Sequence, residues 1–244
     1  MSAAIEARDL TRAFGAFRAV DAITFDVGAG EVFGVLGANG AGKTTAIRML
    51  TGLLAPTSGE ARIAGLDIYR DPEGIKRRIG YMSQRFSLYD DLTARENIRL
   101  YGGIYGLADR EIADRTERML DRLGFRHAAD SLVRGIPLGW KQKLAFSVSL
   151  LHDPAIVFLD EPTGGVDPIT RRQFWEMIYE AAAAGTTIFV TTHYMDEAEY
   201  CDRISIMVAG RIAAIGTPGE VKERLGAATM DEAFVRLARP AVAS

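Results

Sequence analysis

Eight consecutive residues, Gly37, Ala38, Asn39, Gly40, Ala41, Gly42, Lys43 and Thr44, carry the spacing G-x-x-x-x-G-K-[ST]. They stand between an apolar run and a segment of helical pattern. Glycines at these positions let successive backbone N–H groups turn inward around an anionic phosphate, and a helix N-terminus behind them adds a favourable dipole. Lys43 would then reach the β- and γ-phosphates of a nucleotide, the Thr44 hydroxyl would ligate Mg²⁺, and Thr45 belongs with them among the nucleotide-binding residues. A second candidate is AIVFLDEP (155–162), an apolar run ending in Asp160 and Glu161. Ligands of open α/β sheets collect at the carboxyl ends of the strands, so this pair belongs on the same edge as the phosphate loop. There Asp160 can hold Mg²⁺ through water and Glu161 can polarise an attacking water. His193 closes a third apolar run, TTIFVTTH, and the same edge rule brings it near the γ-phosphate. Gln84, in GYMSQRFSLYDDLT, is placed to ligate Mg²⁺ or water and to report its presence to the segment that follows. His127 and His152 are expected only at the surface or at helix ends.

The elements that must position these groups are short. VFGVLG (32–37), AIVFLD (155–160) and TTIFVTTH (186–193) are strand-length, rich in β-branched and aromatic residues, and do not alternate. Strands buried on both faces of a parallel sheet have this pattern. Helical segments follow two of them, over 43–54 and 171–184, where Phe174, Ile178 and Ala181 recur at helical spacing. The class is α/β. From about Leu92 to Leu150 the pattern is helical, with Ile112, Met119, Leu120 and Leu123 on one face and Gly124 as a stop. This predicts a helical insertion. The first 30 residues and GEARIAGLDI (59–68) read as short strands of a small antiparallel layer. Met230, Ala233, Phe234 and Leu237 form an amphipathic stripe suited to packing, and the tail RPAVAS (239–244) is expected to fray. The expected division is a nucleotide-binding core over 1–86 and 151–220, a helical subdomain over 87–150, and a C-terminal helix and tail over 221–244.

With 244 residues, 48% of them hydrophobic, the chain can bury one large domain with a smaller subdomain. A formal charge of −3 leaves no electrostatic footprint for nucleic acid. A single cysteine, Cys201, excludes an internal disulfide framework and suits a reducing cytosol, and three scattered histidines disfavour structural zinc. The N-terminus lacks the apolar core of a signal peptide, and no window reaches the roughly 18 apolar residues of a membrane span. Work at a membrane would therefore go through another subunit.

Taken in order, the phosphate loop 37–44, Gln84, IPLGWKQKLA (136–145), LDEPTGGVD (159–167) and TTHYMDEAE (191–199) resemble the nucleotide-binding domain of ABC transporters over nearly the whole chain. A signature-like segment before AIVFLDEP with a switch-like histidine after it separates this resemblance from other P-loop enzymes. It implies a RecA-like P-loop NTPase core whose sheet is mostly parallel, with ATP and Mg²⁺ as ligands. It also implies Gln84 as the Q-loop, Asp167 as the D-loop acid, and Phe14 (in LTRAFG) as the aromatic that stacks on adenine. FSLYDDLTARENIRLYGGIYGL, PLGWKQKLAF and HYMDEAEYCDRI are similar to ATPases of bacterial multidrug-type exporters. The implied partners are a membrane permease and a second ATPase subunit, on the cytoplasmic face of the inner membrane.

One segment departs from the family. Where it usually reads LSGGQ, this chain has Ile136-Pro137-Leu138-Gly139-Trp140. Pro137 offers neither a hydroxyl nor a backbone N–H, although proline suits a first helical turn. Gly139 and the following amides would have to clamp the nucleotide. Rival readings make separate demands. A DNA-repair ATPase needs a long coiled-coil insertion, and translation-factor relatives usually carry two ATPase units. A P-loop kinase or GTPase has no use for 136–145 or His193. A regulatory module that only binds nucleotide would not need Glu161 and His193.

Overall fold

A computed structural model describes residues 3–84 and 88–238. The expected boundary at 86/87 and the tail 239–244 lie outside the described residues. Two sheets organise the chain. The larger has six strands in the order β10-β9-β3-β8-β7-β6. Its centre is β3 (Val32–Leu36), β8 (Thr187–Thr192) and β7 (Ile156–Asp160), in which every residue is buried. Flanking them are β6 (Ile79–Met82), parallel to β7, and β9 (Arg203–Val208), parallel to β3, with an antiparallel edge strand, β10 (Arg211–Gly216), beyond β9. The non-alternating apolar runs thus form a parallel sheet covered on both faces.

The second sheet is antiparallel, with β2 (Phe17–Gly28), β1 (Ala3–Phe14), β4 (Ser58–Ile63) and β5 (Leu66–Asp67) in that order. Its first two strands are longer than the sequence suggests, twelve residues each, because register shifts let the hairpin bend without ending. Phe25 of β2 stacks on Phe33 of β3, centroids 5.6 Å apart, and Phe189 and Phe158 extend the aromatic layer across the parallel sheet. One core lies between the two sheets and includes the buried face of α1 (Lys43–Leu50).

On the other face a second core gathers α3 (Ala94–Ile104), α4 (Asp109–Arg122) and α5 (Leu138–Ser149), which all fall between β6 and β7 in the chain. A short helix, α2 (Pro72–Arg78), leads into β6, and Asp71 caps it by accepting from Gly74 N. Thr93 and Glu96 form a reciprocal capping box on α3. After β7, α6 (Pro168–Ala183) starts earlier than its apolar spacing implies. The Asp167 side chain accepts from the N–H groups of Ile169 and Thr170, and Pro168 takes the first turn. α1 stops at Leu50 rather than Leu54, because the chain turns at Gly52 with φ 70°. The C-terminal pair α7 (Pro218–Leu225) and α8 (Met230–Ala238) packs the predicted stripe, with Met230 and Ala233 buried and Phe234 and Leu237 against the same core. No helix among the described residues is long and apolar enough to cross a membrane.

Candidate functional site

The parallel register determines which loops meet. Leu36 of β3 pairs with Thr192 of β8, and Thr191 of β8 pairs with Asp160 of β7. The residues that follow those strands, Gly37, His193 and Glu161, therefore emerge side by side at one carboxyl edge. There the loop Gly37–Gly42 folds back into α1. Gly37 has no room for a side chain, since a Cβ would stand 2.6 Å from the Met207 carbonyl. Gly42, at φ 106°, caps α1 and would overlap the Ala19 carbonyl. Only glycine meets both demands. No side chain caps α1 and its first turn holds no acid, so its N-terminal dipole stays open to an anion.

Lys43 is buried. Its ammonium donates to the carbonyls of Gly37 at 2.6 Å and Ala38 at 3.2 Å and pairs with Glu161 Oε1 at 3.0 Å. The other Glu161 oxygen, Oε2, accepts from Gln84 Nε2 at 3.0 Å and lies 3.0 Å from His193 Nδ1. Three residues drawn from three separate segments thus meet on one carboxylate. Burial works to raise the Glu161 pKa, but Lys43 and His193 together outweigh it and hold the carboxyl below its ordinary value. Glu161 also has φ 50°, a left-handed conformation that costs a non-glycine residue about 1–3 kcal/mol and is concentrated at functional sites.

Asp160 is fully buried beside it. Its Oδ1 accepts from Thr191 at 2.7 Å and Thr44 at 3.2 Å, while Oδ2 has no hydrogen-bond partner among the described residues. Burial raises its pKa, against the hydroxyl bonds. The chemistry of this set, the Thr44 hydroxyl and an unpartnered carboxylate oxygen, suits a hard, oxygen-seeking cation.

Lys43, Thr44, Gln84 and Glu161 open into a cleft of about 310 Å³, lined also by Asn39–Gly42, Thr45, Ala19 and Phe17, whereas Asp160 and His193 stand outside its lining. No sequence motif marks Phe17. Phe14 is its direct partner across the β1–β2 hairpin, half exposed, with the Arg12 guanidinium 4.5 Å from its ring centre. Directly paired residues project from the same face of a hairpin, so Phe14 and Phe17 form one aromatic rim, and Phe17 is the member that lines the cleft.

The signature-like segment lies elsewhere. None of residues 136–140 lines the cleft. Pro137 is the N-cap of α5, one position ahead of the first turn where proline was expected, and no side chain caps the helix. Gly139 lies against α6, where a Cβ would stand 2.6 Å from Thr170 Cγ2. Thr170 is itself held by Asp167, hydroxyl to carboxylate at 2.6 Å. Asp167 and Gly139 thus belong to one exposed junction, separate from the Glu161 cluster. His152 is not the plain helix-end residue the sequence implies. It is stacked on Tyr105, ring centroids 3.7 Å apart, with Nε2 3.0 Å from the Ile79 carbonyl.

A profile of the family described as "ABC transporter" matches residues 20–164. Over 238 residues the chain is 47% identical to a probable multidrug ABC transporter ATP-binding protein, YbhF of Escherichia coli (strain K12), an alignment covering 96% of this chain and 41% of that one. The daunorubicin/doxorubicin resistance ATP-binding protein DrrA of Streptomyces peucetius is 40% identical over 224 residues, 91% of this chain and 68% of that one. The chain therefore spans less than half of the first relative. A solved ATP-binding subunit of an ABC transporter superposes with a TM-score of 0.86 at 32% identity, covering 96% of this chain and 99% of the other.

Proposed function

This chain belongs to the ABC transporter family, and we propose that it is the subunit that binds Mg-ATP, dimerises across two nucleotides and hydrolyses them to power export through a separate membrane permease. The observation that carries this reading is the convergence of Lys43, Gln84 and His193 on Glu161 at the mouth of the phosphate loop.

In the proposed mechanism the amides of Gly40–Thr45 cradle the phosphates, and Lys43 leaves Glu161 to neutralise them. Releasing Glu161 frees its carboxylate to accept a proton from the attacking water, while His193 and Gln84 hold that water and the γ-phosphate in line. Thr44, Asp160 and Gln84 would hold Mg²⁺, which supplies charge neutralisation on the phosphate oxygens. The aromatic rim of Phe17 and Phe14 would take the adenine. Residues 136–140 do not line the chain's own cleft, and in this reading the clamp built on Gly139 and the α5 N-terminus acts on a nucleotide held by a second copy.

For the permease, the supporting feature is a groove of about 330 Å³ beside β6, two residues before Gln84. It is walled by Leu53, Lys76, Tyr81, Tyr101 and Tyr105. An apolar helix of the permease seated there would touch the strand that leads to Gln84, on the cytoplasmic face of the inner membrane. The transported compounds would resemble those of the drug-resistance relatives.

Two measurements test the reading. The purified chain should release phosphate from ATP only with Mg²⁺ and transfer none of it to an added acceptor. Glu161→Gln should double its mass by light scattering in ATP and revert in ADP. Phosphate transfer to an acceptor, or a monomer in every nucleotide, would contradict it.

A further inference from the structure

The turn that follows His193 buries a carboxylate that the chemistry above does not use. Glu197 is fully buried, whereas Asp196 and Glu199 on either side face solvent. Its Oε1 accepts the Thr163 hydroxyl at 2.6 Å. The same oxygen lies 3.6 Å from Arg171 Nε, an ion-pair distance too long for a hydrogen bond, and Arg171 Nε bonds to nothing else among the described residues. Oε2 has no hydrogen-bond partner among the described residues either. A buried carboxylate with one oxygen unpartnered loses more to desolvation than a single hydroxyl and a distant cation return, so stability does not account for it.

Its contacts lead to both hydrolytic loops. Thr163 stands two residues beyond Glu161, and the Glu161 carbonyl accepts from Gly164 N at 3.2 Å, so fixing Thr163 fixes the turn that carries Glu161. Arg171 lies with its guanidinium 4.0 Å from the centre of the Tyr194 ring, and that ring is 4.2 Å from the ring of His193. Arg171 also reaches Asp196 at 3.4 Å. Asp196 and Glu197 thus hold the guanidinium against Tyr194, whose ring packs, tilted by 35°, against that of His193.

We propose that Glu197 is a positioning residue for hydrolysis, setting the Glu161 loop through Thr163 and the His193 ring through Arg171 and Tyr194. This rests on the reading of Glu161 and His193 as the hydrolytic pair. A single side chain then keeps two loops from adjacent strands in register, and misplacement of such loops by a fraction of an ångström is felt in turnover rather than in substrate binding.

The experiment compares the full chain with Glu197→Gln, Thr163→Val and Thr163→Ser. Steady-state phosphate release should show kcat down by about tenfold in Glu197→Gln and Thr163→Val, with KM for Mg-ATP within about twofold of the wild type. Thr163→Ser, which keeps the hydroxyl, should restore kcat. Amide exchange in residues 161–167 and 193–198 should quicken in Glu197→Gln while the thermal midpoint holds. A purely structural role would instead lower the midpoint and leave kcat per folded molecule at the wild-type value. That result, or unchanged exchange in both loops, overturns the proposal. Wild type that releases no phosphate would sink the hydrolytic reading instead, and the exchange comparison would still decide whether Glu197 holds the loops.

Discussion

Replacing Lys43 by alanine in the nucleotide-free chain strips the cation from a carboxylate that remains buried. The side chains of Lys43 and Glu161 are 4% and 8% exposed, with Nζ and Oε1 3.0 Å apart. Removing one partner of such a pair typically costs about 3–5 kcal/mol. The lower end applies here, because Oε2 keeps both Gln84 and His193. In a chain of this size each kcal/mol moves the thermal midpoint by about 2–4 °C, so Lys43→Ala should melt about 6–12 °C below the wild type. Adding Glu161→Gln should recover more than half of that loss, since a neutral amide needs no cation. The assay is thermal unfolding at neutral pH with chelator and no nucleotide. A midpoint within about 2 °C of wild type for Lys43→Ala, or a double variant no more stable than the single one, would refute the buried pair as the source of the effect. The same single variant should bind a fluorescent ATP analogue about ten- to a hundredfold more weakly, for a charge-assisted contact of about 1.5–3 kcal/mol.

Three further outcomes follow from the same geometry. The Glu161 pKa is held below its ordinary 4.5, so its contribution to stability is complete above pH 4.5 and disappears as pH falls through the lowered folded value. Acid unfolding of Glu161→Gln should accordingly be shallower below that pH. Asp160 has the opposite sign, its folded pKa being raised by burial. Asp160→Asn should therefore melt no lower than wild type without nucleotide, yet lose nearly all Mg²⁺-dependent phosphate release, and a large drop in midpoint would count against the unpartnered oxygen as a cation ligand. Pro137→Ser supplies the cap that α5 lacks, worth about 0.5–2 kcal/mol, and forfeits a proline restraint of about 0.4–1 kcal/mol. Its midpoint should barely move and its kcat should stay flat or fall, whereas a gain above about threefold would mean that the missing hydroxyl limits hydrolysis.

Much of the candidate site is legible in the sequence because its pattern is local. Gly37 to Thr44 carry their motif in eight consecutive residues, and Asp160, Glu161 and His193 each close an apolar run, so the edge rule for parallel sheets is enough to bring Gly37, Glu161 and His193 to one edge. The groups that stayed hidden depend on pairings over long sequence separations. Nothing near Phe17 in the chain says that it, and not its hairpin partner Phe14, lines the cleft. His152 becomes a packed residue only through Tyr105, which arrives from α3. Glu197 sits in an acid-rich turn whose other carboxylates face solvent, and only its contacts with Thr163 and Arg171 distinguish it. The start of α6 is written in the sequence, since Asp167-Pro168 is a cap and first turn, whereas the apolar spacing of that helix begins only inside it.

The most direct test of the central claim, that the carboxylate on which Lys43, Gln84 and His193 converge performs the hydrolysis, is a single-turnover experiment on Glu161→Gln. Excess protein is mixed with Mg-ATP, and bound ATP is separated from ADP and phosphate over time. The account predicts ATP bound as tightly as by wild type and cleaved at least about a hundredfold more slowly, general-base help being worth about 10²–10⁴. Cleavage at the wild-type rate with intact binding would contradict it and move the base to another residue.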